Sequence, residues 1–159
     1  MQILNDFNTS VRKALKEINP DYELLKGLVV CGTHNQQNVP ELVDTIRYAR
    51  ENKIPTLLIC AGQQLGAIEY AQNVLGIKDA TSEEFGKGTF VVIKRPRLKV
   101  GLHEGESWWT NYEVDPVILN QWKLPKNWIA VPFHPEYQSS EENPHPLLVK
   151  FLELCGNVE

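Results

Sequence analysis

The chain has 159 residues, 42% of them hydrophobic, enough for one packed core and too few for a second of ordinary size. Its net charge is -4, and the 16 Lys and Arg residues are spread along the chain with no basic stripe, which argues against a nucleic-acid partner. No run of about eighteen apolar residues occurs, and residues 1–7 lack the basic-then-apolar order of an export signal, so the expectation is a cytoplasmic protein with no membrane contact.

In chain order, residues 3–7 read as a short strand. Thr9 or Ser10 then caps a helix that carries Val11, Ala14, Leu15 and Ile18 on one face before Pro20 stops it. Residues 28–31 are a short apolar, β-branched-rich run, which predicts a buried strand, and residues 32–38 read as a polar loop. Pro40 suits the first turn of a helix that turns Leu42, Ile46 and Ala49 inward. A second apolar strand follows at 56–60. From Gln63 a helix places Leu65, Ile68, Ala71 and Leu75 inward and ends at Gly76. Residues 89–93 and 98–102 read as a hairpin around Arg95-Pro96-Arg97, residues 128–133 as a further strand, and residues 146–155 as a closing amphipathic helix.

Short apolar strands alternating with amphipathic helices predict an α/β fold, a mostly parallel sheet covered on both faces, in one domain over residues 1–159. Ligands of such sheets collect at the carboxyl ends of the strands, which here are residues 31–38, 60–64 and 133–140. Cys31, Cys60 and Cys155 are an odd count without metal-ligand spacing, which fits a reducing compartment and indicates no metal and no cofactor.

Cys60 stands where an apolar strand stops and Ala61-Gly62 leads into a helix. A tight strand-to-helix turn exposes a nucleophile, and the helix N-terminus favours its anion. The plainer alternative is a small buried hydrophobe at a strand end. Cys31 lacks the small-Gly-polar continuation and Cys155 sits near a helix end, so both read as structural. His134 follows an apolar run, and Glu136 lies two residues on, a spacing that puts both side chains on one side of an extended backbone. A carboxylate there fixes the imidazole tautomer, the third-group role that a thiol–imidazole pair needs. His34, His103 and His145 have Gln36, Gly105 and Leu147 at that spacing, which leaves His134 as the candidate base.

Leu58-Ile59-Cys60-Ala61-Gly62-Gln63-Gln64 resembles the Gly-Ile-Cys-x-Gly-x-Gln nucleophile motif of class I glutamine amidotransferases, and Phe133-His134-Pro135-Glu136 resembles their His-Pro-Glu motif. Residues 48–52, 68–76, 112–114 and 144–147 are similar to the glutaminase half of CTP synthases, and the likeness runs from about Gly27 to Leu148. The resemblance implies a flavodoxin-like fold, shortened at the N-terminus. It also implies a Cys60-His134-Glu136 triad that attacks a small-molecule side-chain amide and releases ammonia through a thioester, with a separate ammonia-accepting synthase as a partner. By the same resemblance, oxyanion donors come from Ala61 and from the Gly32 and Thr33 loop, and substrate contacts from Gln64, Glu106, Asn111 and Tyr112.

Three departures accompany the likeness. Leu58 stands at the first glycine of the nucleophile motif; Thr33 stands where the family has a glycine whose backbone turns freely. Asn111, after Ser107-Trp108-Trp109-Thr110, replaces an arginine expected to hold the substrate, and cannot make a charge-assisted bidentate contact. The sequence therefore leaves three readings: a glutaminase-type amidohydrolase, a thiol hydrolase of another γ-glutamyl amide, or a degenerate domain that binds a ligand or partner without turnover.

Overall fold

The structure of the protein is a computed structural model that describes residues 1–33, 37–95, 101–103 and 106–156, with the backbone alone at 101–103 and 106–108. Two strands without an exposed residue, β2 (Leu28–Val30) and β3 (Thr56–Ile59), form the centre of a four-stranded sheet. β1 (Gln2–Leu4) lies beside β2 and β9 (Trp128–Val131) beside β3, giving the order β1-β2-β3-β9 with every pair parallel. Strands buried on both faces need helices on both, and the chain supplies them. α1 (Thr9–Ile18) and α5 (Pro146–Gly156) press Val11, Leu15, Leu148 and Phe151 against Val29, Leu57, Ile59 and Ile129. On the opposite face α2 (Val39–Glu51) and α3 (Ala61–Asn73) press Ile46, Leu65 and Ile68 against Leu28, Val30 and Leu58.

Beyond α3, β4 (Ala80–Ser82), β5 (Thr89–Lys94) and β8 (Tyr112–Val114) form a second, three-stranded sheet. α4 (Pro116–Gln121) follows, its N-terminus capped by the Asp115 carboxylate, which accepts from Val117 N at 2.8 Å. Among the described residues, the hairpin expected between 89–93 and 98–102 is replaced by other pairings. β5 pairs antiparallel with β8, through Val92 opposite Val114 and Lys94 opposite Tyr112, while β6 (Gly101–His103) pairs with β7 (Glu106–Trp109). Residues 98–100 lie outside the described residues. The reason is burial: Val91, Val92 and Val114 share the core beneath α3, so β5 takes the partner that completes that core. Among the described residues, no helix is long and apolar enough to cross a membrane.

Two glycines of α3 set how closely it approaches the sheet. A Cβ on Gly62 would lie 2.1 Å from the Val30 carbonyl oxygen, so the first turn of α3 rests directly on β2. A Cβ on Gly66 would lie 2.4 Å from Leu58 Cδ1; the absent side chain leaves the space into which Leu58, fully buried, extends. This accounts for a leucine at the first position of the nucleophile motif. One helix further out, Arg50 of α2 grips the buried Glu69 of α3 with Nε at 3.1 and 3.0 Å and Nη2 at 2.8 Å, a bidentate pair that locks the two helices together.

We predict that Gly62→Ala costs about 1–3 kcal/mol of stability, because the clash is with backbone rather than with a side chain that can swing away. Urea denaturation of the variant checks this, and wild-type stability would contradict the close approach of α3 to β2.

Candidate active site

β3 ends at Ile59 and α3 begins at Ala61, so Cys60 alone makes the turn between them. The expected helix start at Gln63 is two residues late for this reason. Cys60 has φ 55° and ψ -109°, a conformation that costs a residue with a side chain on the order of 1–3 kcal/mol. The surroundings hold it there: Cys60 N donates to the Val131 carbonyl at 2.9 Å, and the Cys60 carbonyl accepts from Gln63 N at 3.0 Å. The turn leaves the thiol half-buried at the N-terminus of a long helix, where an anion is favoured.

Ile59 is in register with Val131, so the segment that leaves β9 passes beside Cys60 and brings His134 to it. The extended backbone expected for 134–136 is replaced by a 3-10 turn, Pro135–Gln138, which Pro135 opens with its fixed φ. The pairing survives in the tighter turn, with His134 Nδ1 lying 2.6 Å from Glu136 Oε1 and both residues buried. Glu136 Oε2 is also buried and has no hydrogen-bond partner among the described residues, so the carboxylate is directed at the imidazole. Burial opposes a charge on His134, but hydrogen bonds to Cys60 and Glu136, together with the charge of those two groups, outweigh it and raise the imidazole pKa from 6.5 to about 9. Tyr137 stacks on the ring at 4.9 Å and 13°. The other two thiols are of a different kind. Burial, aided at Cys31 by the charge of Glu136, pushes both Cys31 and Cys155 up to about 12, which keeps them protonated.

Cys60, Ala61, Gly32, Thr33, Asn111, Tyr112 and His134 all border one cavity of about 470 Å³. Gln64 does not border it. It is 1% exposed and lies behind the wall, where its Nε2 donates to Glu84 Oε2 at 2.6 Å and its Oε1 accepts from Ser82 Oγ at 2.7 Å. Glu84 borders the cavity in its place, held by Gln64 and by its own N–H, which donates to Ser82 Oγ at 3.1 Å. The side chains of Glu106 and Trp108 lie outside the described residues, as does His34. Trp109 borders the cavity and stacks on Phe133 at 5.4 Å. Tyr112 shows the field at this end of the cavity: burial and the charges of Glu84 and Glu83 raise its hydroxyl pKa.

Glu84, Phe7 and Tyr137 are cavity residues that sequence reasoning missed. Glu84 follows a three-residue strand and sits beside Glu83 in a polar stretch, with no periodic signal to mark it. Tyr137 had a signal, since it follows His134 and Glu136 in a strand-end segment where an aromatic ring would cover the imidazole. His145 is buried but serves the start of α5, where its Nδ1 accepts from Leu147 N at 3.2 Å. Among the described residues, no group of three or more His, Cys, Asp or Glu is arranged to hold a metal ion.

The family model described as glutamine amidotransferase class-I matches residues 4–154. CTP synthase of Methanoculleus marisnigri is 31% identical over 177 aligned residues, covering 81% of this chain and 34% of that protein. CTP synthase of Methanoregula boonei is 28% identical over 183, covering 85% and 34%. The chain thus spans about a third of the length of these curated relatives. In fold it is similar to the glutaminase domain of Trypanosoma brucei CTPS solved with bound acivicin, with a TM-score of 0.72 at 19% identity over 100% of this chain and 95% of that one.

A folded-state pKa raised above its unfolded value means that the stability His134 contributes is fully present below about 6.5 and is lost as pH rises through about 9. We predict that the ring resonances of His134 titrate near pH 9, and that Glu136→Gln moves the midpoint down by removing the negative charge that favours the imidazolium. NMR titration checks this; a wild-type midpoint near 6.5 would contradict the pairing.

Proposed function

We propose, from the premise that this chain belongs to the glutamine amidotransferase class-I family, that it is a glutaminase-type amidohydrolase working through a Cys60-His134-Glu136 triad on glutamine or a related γ-amide. The observation that carries this reading is the alignment of a thiol on a strained strand-to-helix turn, an imidazole bordering the same cavity, and a buried carboxylate 2.6 Å behind the imidazole. The two methanogen relatives are CTP synthases, and the fold neighbour is a CTPS glutaminase domain, which fits the reading.

In the proposed reaction the Cys60 sulfur, its proton held by His134, attacks the amide carbon. The oxygen of the tetrahedral intermediate is stabilised by backbone N–H groups of Ala61 and of the segment at Gly32 and Thr33, whose residues border the cavity. His134 passes its proton to the amide nitrogen, the C–N bond breaks, and ammonia leaves a thioester on Cys60. Water then attacks the thioester while His134 accepts its proton, the C–S bond breaks, and the acid and the thiol are released. Glu136 keeps the imidazole oriented and stabilises its charged form throughout. Glu84, a carboxylate fixed in the cavity wall, suits an ammonium group on the substrate. A separate synthase would take up the ammonia.

Ammonia release from L-glutamine and from a panel of γ-amides is the test. Cys60→Ala is expected to abolish release while thermal unfolding stays near wild type, since the thiol is half-buried and alanine keeps the Cβ at the turn. Glu84→Gln is expected to raise KM for amino-bearing substrates by roughly tenfold or more through loss of a charged contact. Undiminished release by purified Cys60→Ala would overturn the triad.

A further inference from the structure

The donors assigned to the second strand end depend on how the segment after β2 is held, and that holding comes from β1. Asn5 follows β1 with φ 80°, a left-handed turn that asparagine tolerates, and Asn8 Nδ2 closes the turn by donating to the Asn5 carbonyl at 2.6 Å. The turned chain then runs along the end of β2. Asn5 Nδ2 donates to the Cys31 carbonyl at 2.8 Å, Phe7 N donates to the Gly32 carbonyl at 3.3 Å, and Asp6 Oδ2 accepts from Thr33 Oγ1 at 2.9 Å.

These bonds determine where the N–H groups of the same segment point. In a trans peptide the carbonyl and the following N–H project in opposite directions. β1 lies on one side of β2 and β3 on the other. With the carbonyls of Cys31 and Gly32 bonded to residues that follow β1, the N–H groups of Gly32 and Thr33 are turned towards β3, whose end carries Cys60. Gly32 is also close to the base, since a Cβ there would lie 3.1 Å from His134 Cε1. Thr33 is 4% exposed, and its hydroxyl is the part of the segment that a glycine would not supply.

Building on the amidohydrolase reading, we propose that Asn5 and Asp6 are positioning residues that preset the peptides of Gly32 and Thr33 as oxyanion donors. Thr33 tolerates its position because Asp6 anchors its hydroxyl. The backbone at this strand end is held by side chains of the neighbouring strand's exit loop, not by freedom of its own.

The test compares Asp6→Ala, Asp6→Asn, Thr33→Val and Asn5→Gly. Asparagine at position 6 keeps an oxygen for Thr33, and glycine at position 5 keeps the positive φ while removing the amide. Asp6→Ala, Thr33→Val and Asn5→Gly are expected to lower kcat for γ-amide hydrolysis by roughly tenfold or more with KM little changed, part of what deleting an oxyanion donor costs. Asp6→Asn should recover most of the loss, and Asp6→Ala with Thr33→Val should be no worse than either alone. Alkylation of Cys60 by iodoacetamide passes through no oxyanion, so its rate should be unchanged. Full kcat in Asp6→Ala, or alkylation that falls in step with kcat, overturns the proposal. If the wild type hydrolyses no γ-amide, the amidohydrolase reading fails by itself, and crystal structures of wild type and Asp6→Ala decide this inference. A Gly32 carbonyl bonded to Phe7 N in the first and turned away in the second supports it, and the same peptide in both overturns it.

Discussion

The hydrogen bond from Cys60 N to the Val131 carbonyl is the last rung of the β3–β9 ladder and the first contact of the site. Because it closes the ladder, the chain beyond β3 must turn at once, and Cys60 takes a positive φ to do so. The same rung fixes how far β9 extends, and hence that His134, three residues past Val131, arrives beside the sulfur. Gly62, resting on the Val30 carbonyl, keeps α3 low enough for the turn to stay tight. Thiol and imidazole are therefore placed by backbone pairing, and the side chains need only small adjustments to meet.

Around that frame the charges are arranged unevenly. Glu136 supports His134 from behind, and the imidazole holds its proton well above the range of an ordinary histidine. Glu84 lies elsewhere on the cavity wall, held by Gln64 and Ser82 through a partly buried set of hydrogen bonds. The aromatic rings of Phe7, Trp109, Tyr112 and Tyr137 line the cavity as well, so among the described residues Glu84 faces a largely aromatic surround. Burial keeps the two core thiols, Cys31 and Cys155, protonated, whereas Cys60 is half-exposed on the cavity.

What could be read from the sequence depended on how local its cause was. β2, β3, α1 and α2 were legible because each carries its own pattern of apolar residues, and the meeting of Cys60 with His134 followed from two strand ends in one parallel sheet. The partner of β5 was not legible, because Val92 chooses Val114 through a core formed beneath α3 and not through its neighbours in sequence. Gln64 was read as a substrate contact, whereas in the structure it is buried on α3 and its amide is linked to the cavity wall through Glu84. Leu58 looked like a departure and is matched by Gly66, a compensation visible only when strand and helix are stacked. Thr33 is similar: its anchor, Asp6, lies 27 residues away on another strand's exit loop.

The central claim is that Cys60 is the thiol that a glutamine-like amide acylates. The most direct measurement is peptide mass spectrometry after treatment with a glutamine-derived diazoketone, with and without excess L-glutamine. A single label on Cys60 that glutamine prevents is expected, with Cys31 and Cys155 unmodified. Labelling of Cys31 or Cys155 while Cys60 stays unmodified would contradict it.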